Sequence, residues 1–286
     1  MINRDQLRNL IPSPLLKVKR DIYRPFHLAR SVTRLRSMGS VCTVDQAWEV
    51  ANQYRGWGEF ESIKPSQRKS EVCGLLELLR AERVCMACEI GSFLGGTLFM
   101  MTRVLPNHAQ IFSVDWPEAP PWLGTFPRSR KSFHESFARA NQRVSVIYGN
   151  SRADATKAAL ATRLGGQQLD FLMIDADHTL RGVEADFQNY APFVRIGGLI
   201  AFHDIVAEDT ERLYGYEFGA PEVWQRIRRH YRTSEFIDAE TAELRNGGGI
   251  GVIWWNGKLA YGAERPDCVL ADTRYSYNAA PDYARP

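Results

Sequence analysis

The sequence lacks the long apolar runs that a membrane-spanning segment requires. No stretch of its 286 residues reaches the ~18 consecutive apolar side chains that cross a bilayer. The first residues also lack the apolar core of ~7–15 residues that marks a secretory signal. These absences predict a cytoplasmic protein without a transmembrane segment.

Cysteine is scarce as well. The chain contains five cysteines, an odd number that does not suit a disulfide framework and that fits a reducing cytoplasm. Cys85 and Cys88 form a CxxC sequence, but both lie in an apolar run that we predict to be a strand. Because residues three apart face opposite sides of a strand, we interpret them as small core residues rather than as a redox or zinc site.

Charge is nearly balanced overall but unevenly distributed. The net charge is +3, whereas residues 1–40 carry nine basic side chains against Asp5 and Asp21 and therefore hold +7. The slightly acidic remainder argues against a nucleic-acid-binding core. The basic arm could meet an anionic membrane surface, nucleic acid or an acidic partner. We favour the simpler interpretation of a solvated arm or a contact between subunits of a homo-oligomer.

Helical signals dominate the first part of the chain. Three prolines among residues 1–40 predict that no long helix forms there. Thr43 and Gln46 fit a capping box at the start of one helix, and Ser66 could cap the next.

We predict three regions: a basic arm with a helical extension over 1–65, the main domain over 66–256, and a C-terminal tail over 257–286.

From about residue 83, short apolar runs alternate with helix-like segments. The seven predicted strands are Val84–Ile90, Ile111–Asp115, Val144–Tyr148, Phe171–Asp175, Leu199–His203, Glu235–Asp238 and Ile250–Trp255. Helices are predicted near 96–105, 129–140, 152–163, 181–194 and 221–231, with Ser151 and Asp154 resembling a cap for the third. This alternation predicts an α/β fold with a doubly wound, mostly parallel, Rossmann-like sheet covered on both faces.

The ends of the first three strands indicate a nucleoside pocket, since ligands of such sheets bind beyond the carboxyl ends of the strands. Glycines after the first strand let the backbone approach a ligand, but they do not meet the dinucleotide pattern G-x-G-x-x-G. An acid before them, Glu89, suits a cationic ligand. Asp115 ends the second strand, where a carboxylate can accept both ribose hydroxyls. The third strand ends at Gly149, Asn150 and Ser151.

Acids and histidines follow the fourth and fifth strands. Asp175, Asp177 and His178 follow one, and His203 and Asp204 follow the other. Neighbouring strands lie about 4.8 Å apart, so we expect these side chains to meet. Carboxylates clustered with imidazoles suit a divalent cation. The plainer alternative is that some of them only cap helices or loops.

Together these motifs resemble those of class I S-adenosylmethionine-dependent methyltransferases. Glu89-x-Gly91-x-x-x-Gly95-Gly96-Thr97 is similar to the family's first motif, and the resemblance covers roughly residues 70–255. It implies the strand order 3-2-1-4-5-7-6, with the seventh strand antiparallel. The implied cofactor-binding residues are Glu89, Gly91 and Ser92 at the methionine portion, Gly95 and Thr97 in the same loop, Asp115 at the ribose, and Asn150 and Ser151 at the adenine. Many members carry Asp where this chain has Asn150.

The pattern IDADH…GGxIxFHD resembles a subgroup that includes macrolide-sugar O-methyltransferases and relatives labelled cephalosporin hydroxylase. This resemblance implies that Asp175, His203 and Asp204 hold Mg²⁺, and that Asp175 and His178 are the catalytic residues, with His178 as the base. His203 stands where an acidic ligand is usual, and an imidazole ligand there would shift the metal preference of the site toward Mn²⁺ or Fe²⁺.

The predicted function is therefore metal-assisted O-methylation of a hydroxyl on a small molecule, a sugar or another natural product. Two loops could supply aromatic side chains that stack on the acceptor: Trp116, Trp122, Tyr214, Tyr216 and Phe218. The alternatives are a nicotinamide-dependent oxidoreductase or a hydroxylase-type enzyme of the same fold class, or a non-catalytic binding module.

Overall fold

The computed structural model describes residues 13–38, 43–119, 126–139, 141–207, 218–240 and 247–259. Their seven strands form one sheet in the order β3-β2-β1-β4-β5-β7-β6. The strands are β1 (Met86–Ile90), β2 (Gln110–Asp115), β3 (Arg143–Tyr148), β4 (Leu169–Ile174), β5 (Val194–His203), β6 (Arg232–Phe236) and β7 (Ile250–Trp254). Only the pairs of β7 with β5 and β6 are antiparallel. The predicted fold class and strand order are confirmed.

Helices cover both faces of the sheet. They are α1 (Ser13–Ser37), α2 (Val44–Gln53), α3 (Lys69–Ala81), α4 (Gly96–Val104), α5 (Arg130–Glu135), α6 (Asp154–Leu164), α7 (Leu180–Tyr190) and α8 (Ala220–Ile227), with 3₁₀ turns at Gly58–Phe60 and Ala191–Phe193. Side chains of alternate strand residues pack into two hydrophobic cores, one on each face of the sheet. Ala87 packs on the side of α2–α5, and Cys88 packs on the side of α6–α8. This alternation follows from the two-residue period of a strand that is buried on both sides.

The two cysteines of the CxxC sequence have different environments. Cys88 is fully buried in β1, as predicted. Cys85 precedes the strand and is half-buried, with its Sγ 3.5 Å from Nε2 of His108. The interpretation of Cys85 as a core residue is therefore wrong, because the predicted strand starts two residues too early.

Strand and helix ends are where the sequence prediction departs most from the structure. The capping box of Thr43 and Gln46 is confirmed, with each residue's backbone N–H bonded to the other's side chain. Ser66 and Ser151 do not cap helices, because α3 begins after Arg68 and α6 after Ala153, without a side-chain cap at either start. Strand β6 begins three residues before the predicted Glu235–Asp238. It lies at the sheet edge and is only partly buried, so it lacks the apolar run that would have fixed its ends.

The N-terminal extension contains a longer helix than predicted. Helix α1 runs for 25 residues and contains Pro25 in its interior, although a proline there removes one backbone hydrogen bond. Tertiary contacts support this region. The Tyr54 hydroxyl donates to the carbonyl of Ser31, and the buried guanidinium of Arg130 donates to carbonyls of Glu59 and Ser62. Within the described ranges, we find no helix with the length and apolarity needed to traverse a bilayer.

Candidate active site

A cavity of about 510 Å³ opens at the carboxyl ends of the central strands. Its lining includes seven of the eight residues predicted to bind the cofactor and all four predicted as catalytic or metal-binding: Glu89, Gly91, Ser92, Thr97, Asp115, Asn150, Ser151, Asp175, His178, His203 and Asp204. The eighth, Gly95, does not line the cavity, although its neighbours Leu94 and Gly96 do. Parallel strands place these side chains on one edge of the sheet although they are far apart in the sequence.

The glycine loop after β1 lies directly against the end of β4. Gly91 has a φ of +92°, and a Cβ atom there would overlap the carbonyl oxygen of Asp175. The Gly91 N–H donates to the carbonyl of Val114, which fixes the loop across the end of β2. Glycine is required here by both the backbone conformation and the close approach.

Substitution of Gly91 by alanine should therefore cost at least ~2 kcal/mol more unfolding free energy than a substitution at an unobstructed glycine. Gly166→Ala is the matched control, because Gly166 has a similar φ of +85° with no heavy atom within 4 Å of an added Cβ. Urea denaturation measures both variants. Equal losses would mean that only the backbone conformation, and not the contact with Asp175, requires glycine.

Glu89 is a buried carboxylate at the end of β1. Its Oε2 accepts a hydrogen bond of 2.6 Å from Ser92, whose own Oγ lies 2.8 Å from the hydroxyl of Ser113. Burial raises its pKa to about 8, and the nearby carboxylates of Asp175 and Asp115 add to that effect. No cationic side chain pairs with Glu89 in the described part of the chain. A cationic ligand group would stabilise the ionised form.

Asp115 is held in one orientation by the backbone around it. Its two carboxylate oxygens accept 2.7 Å hydrogen bonds, one from the N–H of Phe93 and one from that of Trp116. Burial raises its pKa to about 6, against the opposing effect of these backbone donors. Each oxygen retains a lone pair, so the carboxylate can still receive two hydroxyls.

The turn after β3 is anchored from behind by α7. The Tyr190 hydroxyl donates to the carbonyl of Ser151 at 2.8 Å, and Oδ1 of Asn150 accepts from the N–H of Arg152 at 2.9 Å. The Asn150 and Ser151 side chains are both partly exposed at the cavity.

Gln67, which the sequence analysis missed, connects two predicted site residues. Its Nε2 donates to Oδ2 of Asp175 at 2.5 Å, and its Oε1 accepts from the hydroxyl of Thr97 at 2.9 Å. Gln67 therefore links Thr97 to Asp175 through two hydrogen bonds. Gln67 precedes α3 in the chain, and no local pattern in the sequence places it beside the end of β4.

The predicted Asp and His cluster is brought together. Asp175, His178 and Asp204 offer donor atoms that all lie within 4.8 Å of one another. His203 adjoins them, with Nδ1 at 3.0 Å from Oδ1 of Asp175 and 3.3 Å from Oδ1 of Asp204. Asp177 also lines the cavity but is not part of this group, and its carboxylate accepts from the N–H and hydroxyl of Thr179 before the start of α7.

Charges within this cluster shift one another's pKa. Burial alone would lower the pKa of His203, but the charges of Asp175 and Asp204 raise it to about 10. Burial would also lower the pKa of His178, and its hydrogen bond to Asp204 reverses the direction. Nδ1 of His178 lies 3.2 Å from Oδ2 of Asp204. Despite burial, the two histidines hold the pKa of Asp204 well below its usual range.

The remaining wall carries an aromatic ring and two buried polar atoms. The ring of Phe218 stacks on His178, with centroids 4.8 Å apart at 14°, and Trp116 also lines the cavity. Oε2 of the fully buried Glu71 and Nε2 of His203 have no hydrogen-bond partner among the described residues. Glu71 was not predicted. The loop residues Trp122, Tyr214 and Tyr216 lie outside the described residues.

Comparison with known proteins identifies the central segment. Residues 88–205 match a family model described as a methyltransferase domain. The O-methyltransferase TomG from Streptomyces achromogenes, solved with SAM, is 14% identical with a TM-score of 0.49, over 77% of this chain and 92% of that chain. An O-methyltransferase from Bacillus cereus, solved with SAH, is 18% identical with a TM-score of 0.46, over 78% and 90% of the two chains.

The matched segment begins within β1 and ends just after β5. It therefore contains the glycine loop, Asp115, the turn after β3 and the whole Asp and His cluster. The observed strand order is the one that the sequence resemblance implied. Residues 88–205 of this chain therefore match a methyltransferase domain, in agreement with the family that the sequence resemblance implied.

Proposed function

We propose that this protein transfers the methyl group of S-adenosylmethionine to a hydroxyl oxygen of a small molecule, with the help of a divalent cation. One observation carries the proposal: a single cavity contains both a carboxylate suited to a ribose, Asp115, and a cluster of two carboxylates and two imidazoles around Asp175 and Asp204. The first suits the nucleoside of the methyl donor, and the second suits activation of an acceptor.

The cofactor would occupy the side of the cavity formed by β1, β2 and β3. Glu89 supplies a buried negative charge for the methionine ammonium group. Asp115, aligned by the N–H groups of Phe93 and Trp116, accepts the two ribose hydroxyls. Asn150 and Ser151 face the adenine. The glycine loop lets the backbone approach the methionine portion closely.

The donor set fits a divalent cation, because two carboxylates and imidazole nitrogens are ligands that Mg²⁺, Mn²⁺ or Fe²⁺ accept. Asp175 and Asp204 would be the carboxylate ligands. His203, the predicted third ligand, would have to exchange its pairing with both carboxylates for coordination. When bound, the cation would act as a Lewis acid on the acceptor oxygen and lower the pKa of the acceptor hydroxyl.

His178 would accept the acceptor's proton. Its Nδ1 faces the carboxylate of Asp204, which favours a proton on Nδ1 and leaves Nε2 as the basic nitrogen. As the new oxygen–carbon bond forms, the carbon–sulfur bond of the donor breaks and the hydroxyl proton passes to Nε2. The products are the methyl ether and the neutral thioether S-adenosylhomocysteine.

The walls of the cavity favour a polar acceptor with a flat face. Phe218 and Trp116 provide surfaces on which a sugar or an aromatic ring can stack. The unpartnered Oε2 of Glu71 and Nε2 of His203 are costly to bury alone, and additional hydroxyls on the acceptor would satisfy them. We therefore propose a sugar or another polyhydroxylated natural product as the acceptor.

The cofactor assignment predicts that Asp115→Asn weakens binding of S-adenosylmethionine at least tenfold. The variant loses a charge-assisted acceptor for the ribose, worth ~1.5–3 kcal/mol. Isothermal titration with S-adenosylmethionine and, separately, with NAD measures the effect and tests the oxidoreductase alternative. Asp154→Asn is the control, since it removes the same charge from a fully exposed position on α6. Unchanged affinity in folded Asp115→Asn, or tight binding of NAD, would contradict the proposal.

A further inference from the structure

Helix α1 exposes an apolar strip that the rest of the described chain leaves uncovered. Ile22, Tyr23 and Phe26 are 68%, 49% and 55% exposed. They are three of the seven large hydrophobic side chains that are exposed among the described residues. Ser31 and Leu35, on the opposite side of the helix, are buried against the extension and the core. The helix is therefore anchored by one face and presents the other to its surroundings.

Basic side chains accompany the strip. Arg30, Arg34 and Arg36 form no ion pair within the described ranges. Arg30 and Arg34 line a shallow groove with Phe26 and Trp57, and the guanidinium of Arg30 lies 4.4 Å from the Trp57 ring centroid. The single acid on this stretch, Asp21, is already paired with Arg24 at 2.5 Å.

We propose that α1 docks this protein on an anionic membrane surface. Apolar and aromatic side chains beside unpaired arginines are the combination that binds the headgroup boundary of a bilayer. The charge distribution supports this occupant, because residues 1–40 hold +7 while the remaining chain is slightly acidic. A second copy meeting the same face would bring two such basic segments together. A nucleic acid would leave Ile22 and the Phe26 edge without a suitable partner.

Sedimentation of the full-length protein with vesicles tests the proposal. The vesicles contain phosphatidylcholine alone or phosphatidylcholine mixed with phosphatidylglycerol, in low and high salt. We expect at least tenfold stronger binding to the anionic vesicles, weakened by salt because exposed charges are screened. The double variant Ile22→Asp/Phe26→Asp should bind the anionic vesicles at least tenfold more weakly than the wild type does. Ile196→Asp is the control, because Ile196 is 74% exposed on β5, away from α1.

Titration with S-adenosylmethionine verifies that every variant is folded, since α1 contributes no residue to the active-site cavity. Equal binding to both vesicle types would overturn the proposal, as would a double variant that binds like the wild type. Two further results would also overturn it. One is a wild-type homodimer that becomes monomeric when Ile22 and Phe26 are both replaced, and the other is tighter binding of duplex DNA than of the vesicles.

Discussion

Replacing His178 by alanine should lower the rate of methyl transfer by ~10²–10⁴-fold while leaving the affinity for S-adenosylmethionine unchanged. A hydroxyl is a weak nucleophile at neutral pH, so its proton must leave as the new bond forms. His178 is placed for this step by two contacts, its hydrogen bond to Asp204 and its stacking on Phe218. His178 follows β4 and Asp115 ends β2, with β1 between these two strands, so cofactor binding at Asp115 should survive the substitution.

The pH dependence of the rate provides a second readout. The imidazolium form of His178 cannot accept a proton, so activity should fall as the pH drops through the pKa of His178. In the metal-free protein, the hydrogen bond to Asp204 raises that pKa above its ordinary value despite burial, a shift that a cation on Asp204 would oppose. This acid limb should be absent from the residual activity of His178→Ala.

Single-turnover methyl transfer from radiolabelled S-adenosylmethionine separates this step from binding and release. His230→Ala is the control, because His230 is exposed and lies outside the cavity. A His178→Ala rate within about threefold of the wild type, far short of what general-base catalysis contributes, would mean that another group takes the proton.

The ends of the buried strands could be predicted because they are local features of the sequence. Each central strand is an apolar run followed by a polar residue, such as Asp115 or Asp175. In a parallel sheet the carboxyl ends of these strands all lie at one edge. The Asp and His cluster follows from that rule, whereas the sheet order is implied by the resemblance to a known family and not by the strand ends. The edge strand β6 was predicted only in part, over Glu235–Asp238 instead of Arg232–Phe236, because its side chains are only partly buried.

Gln67 and Glu71 show what the sequence does not specify. Gln67 precedes α3 and Glu71 lies in its first turn, and both reach the site because that helix packs against the sheet near β6 and β7. Glu71 looks like an ordinary acid in the first turn of a helix, yet it is fully buried and accepts a hydrogen bond from the N–H of Asp238. Contacts between elements distant in sequence decide such positions, and periodicity carries no information about them.

Removal of divalent metal should abolish methyl transfer, with a loss of at least ~10³-fold, because the Lewis acid supplies several kcal/mol of charge stabilisation in such sites. Addition of Mg²⁺ or Mn²⁺ to the chelated enzyme should restore the rate. Asp204→Asn should behave like the chelated wild type, because it removes a carboxylate that lies within 3.3 Å of both histidines. Asp154→Asn should leave metal dependence unchanged.

The identity of the imidazole ligand follows from titrating the variants with Mn²⁺. If His203 is a ligand, as the sequence pattern implies, His203→Ala weakens Mn²⁺ binding and His178→Ala does not. The opposite result would assign the ion to the group of Asp175, His178 and Asp204, whose donor atoms lie within 4.8 Å of one another, and would remove His178 from its role as the base. Full turnover in excess chelator, with no metal found by elemental analysis, would show instead that the carboxylates act on the acceptor through the paired imidazoles alone.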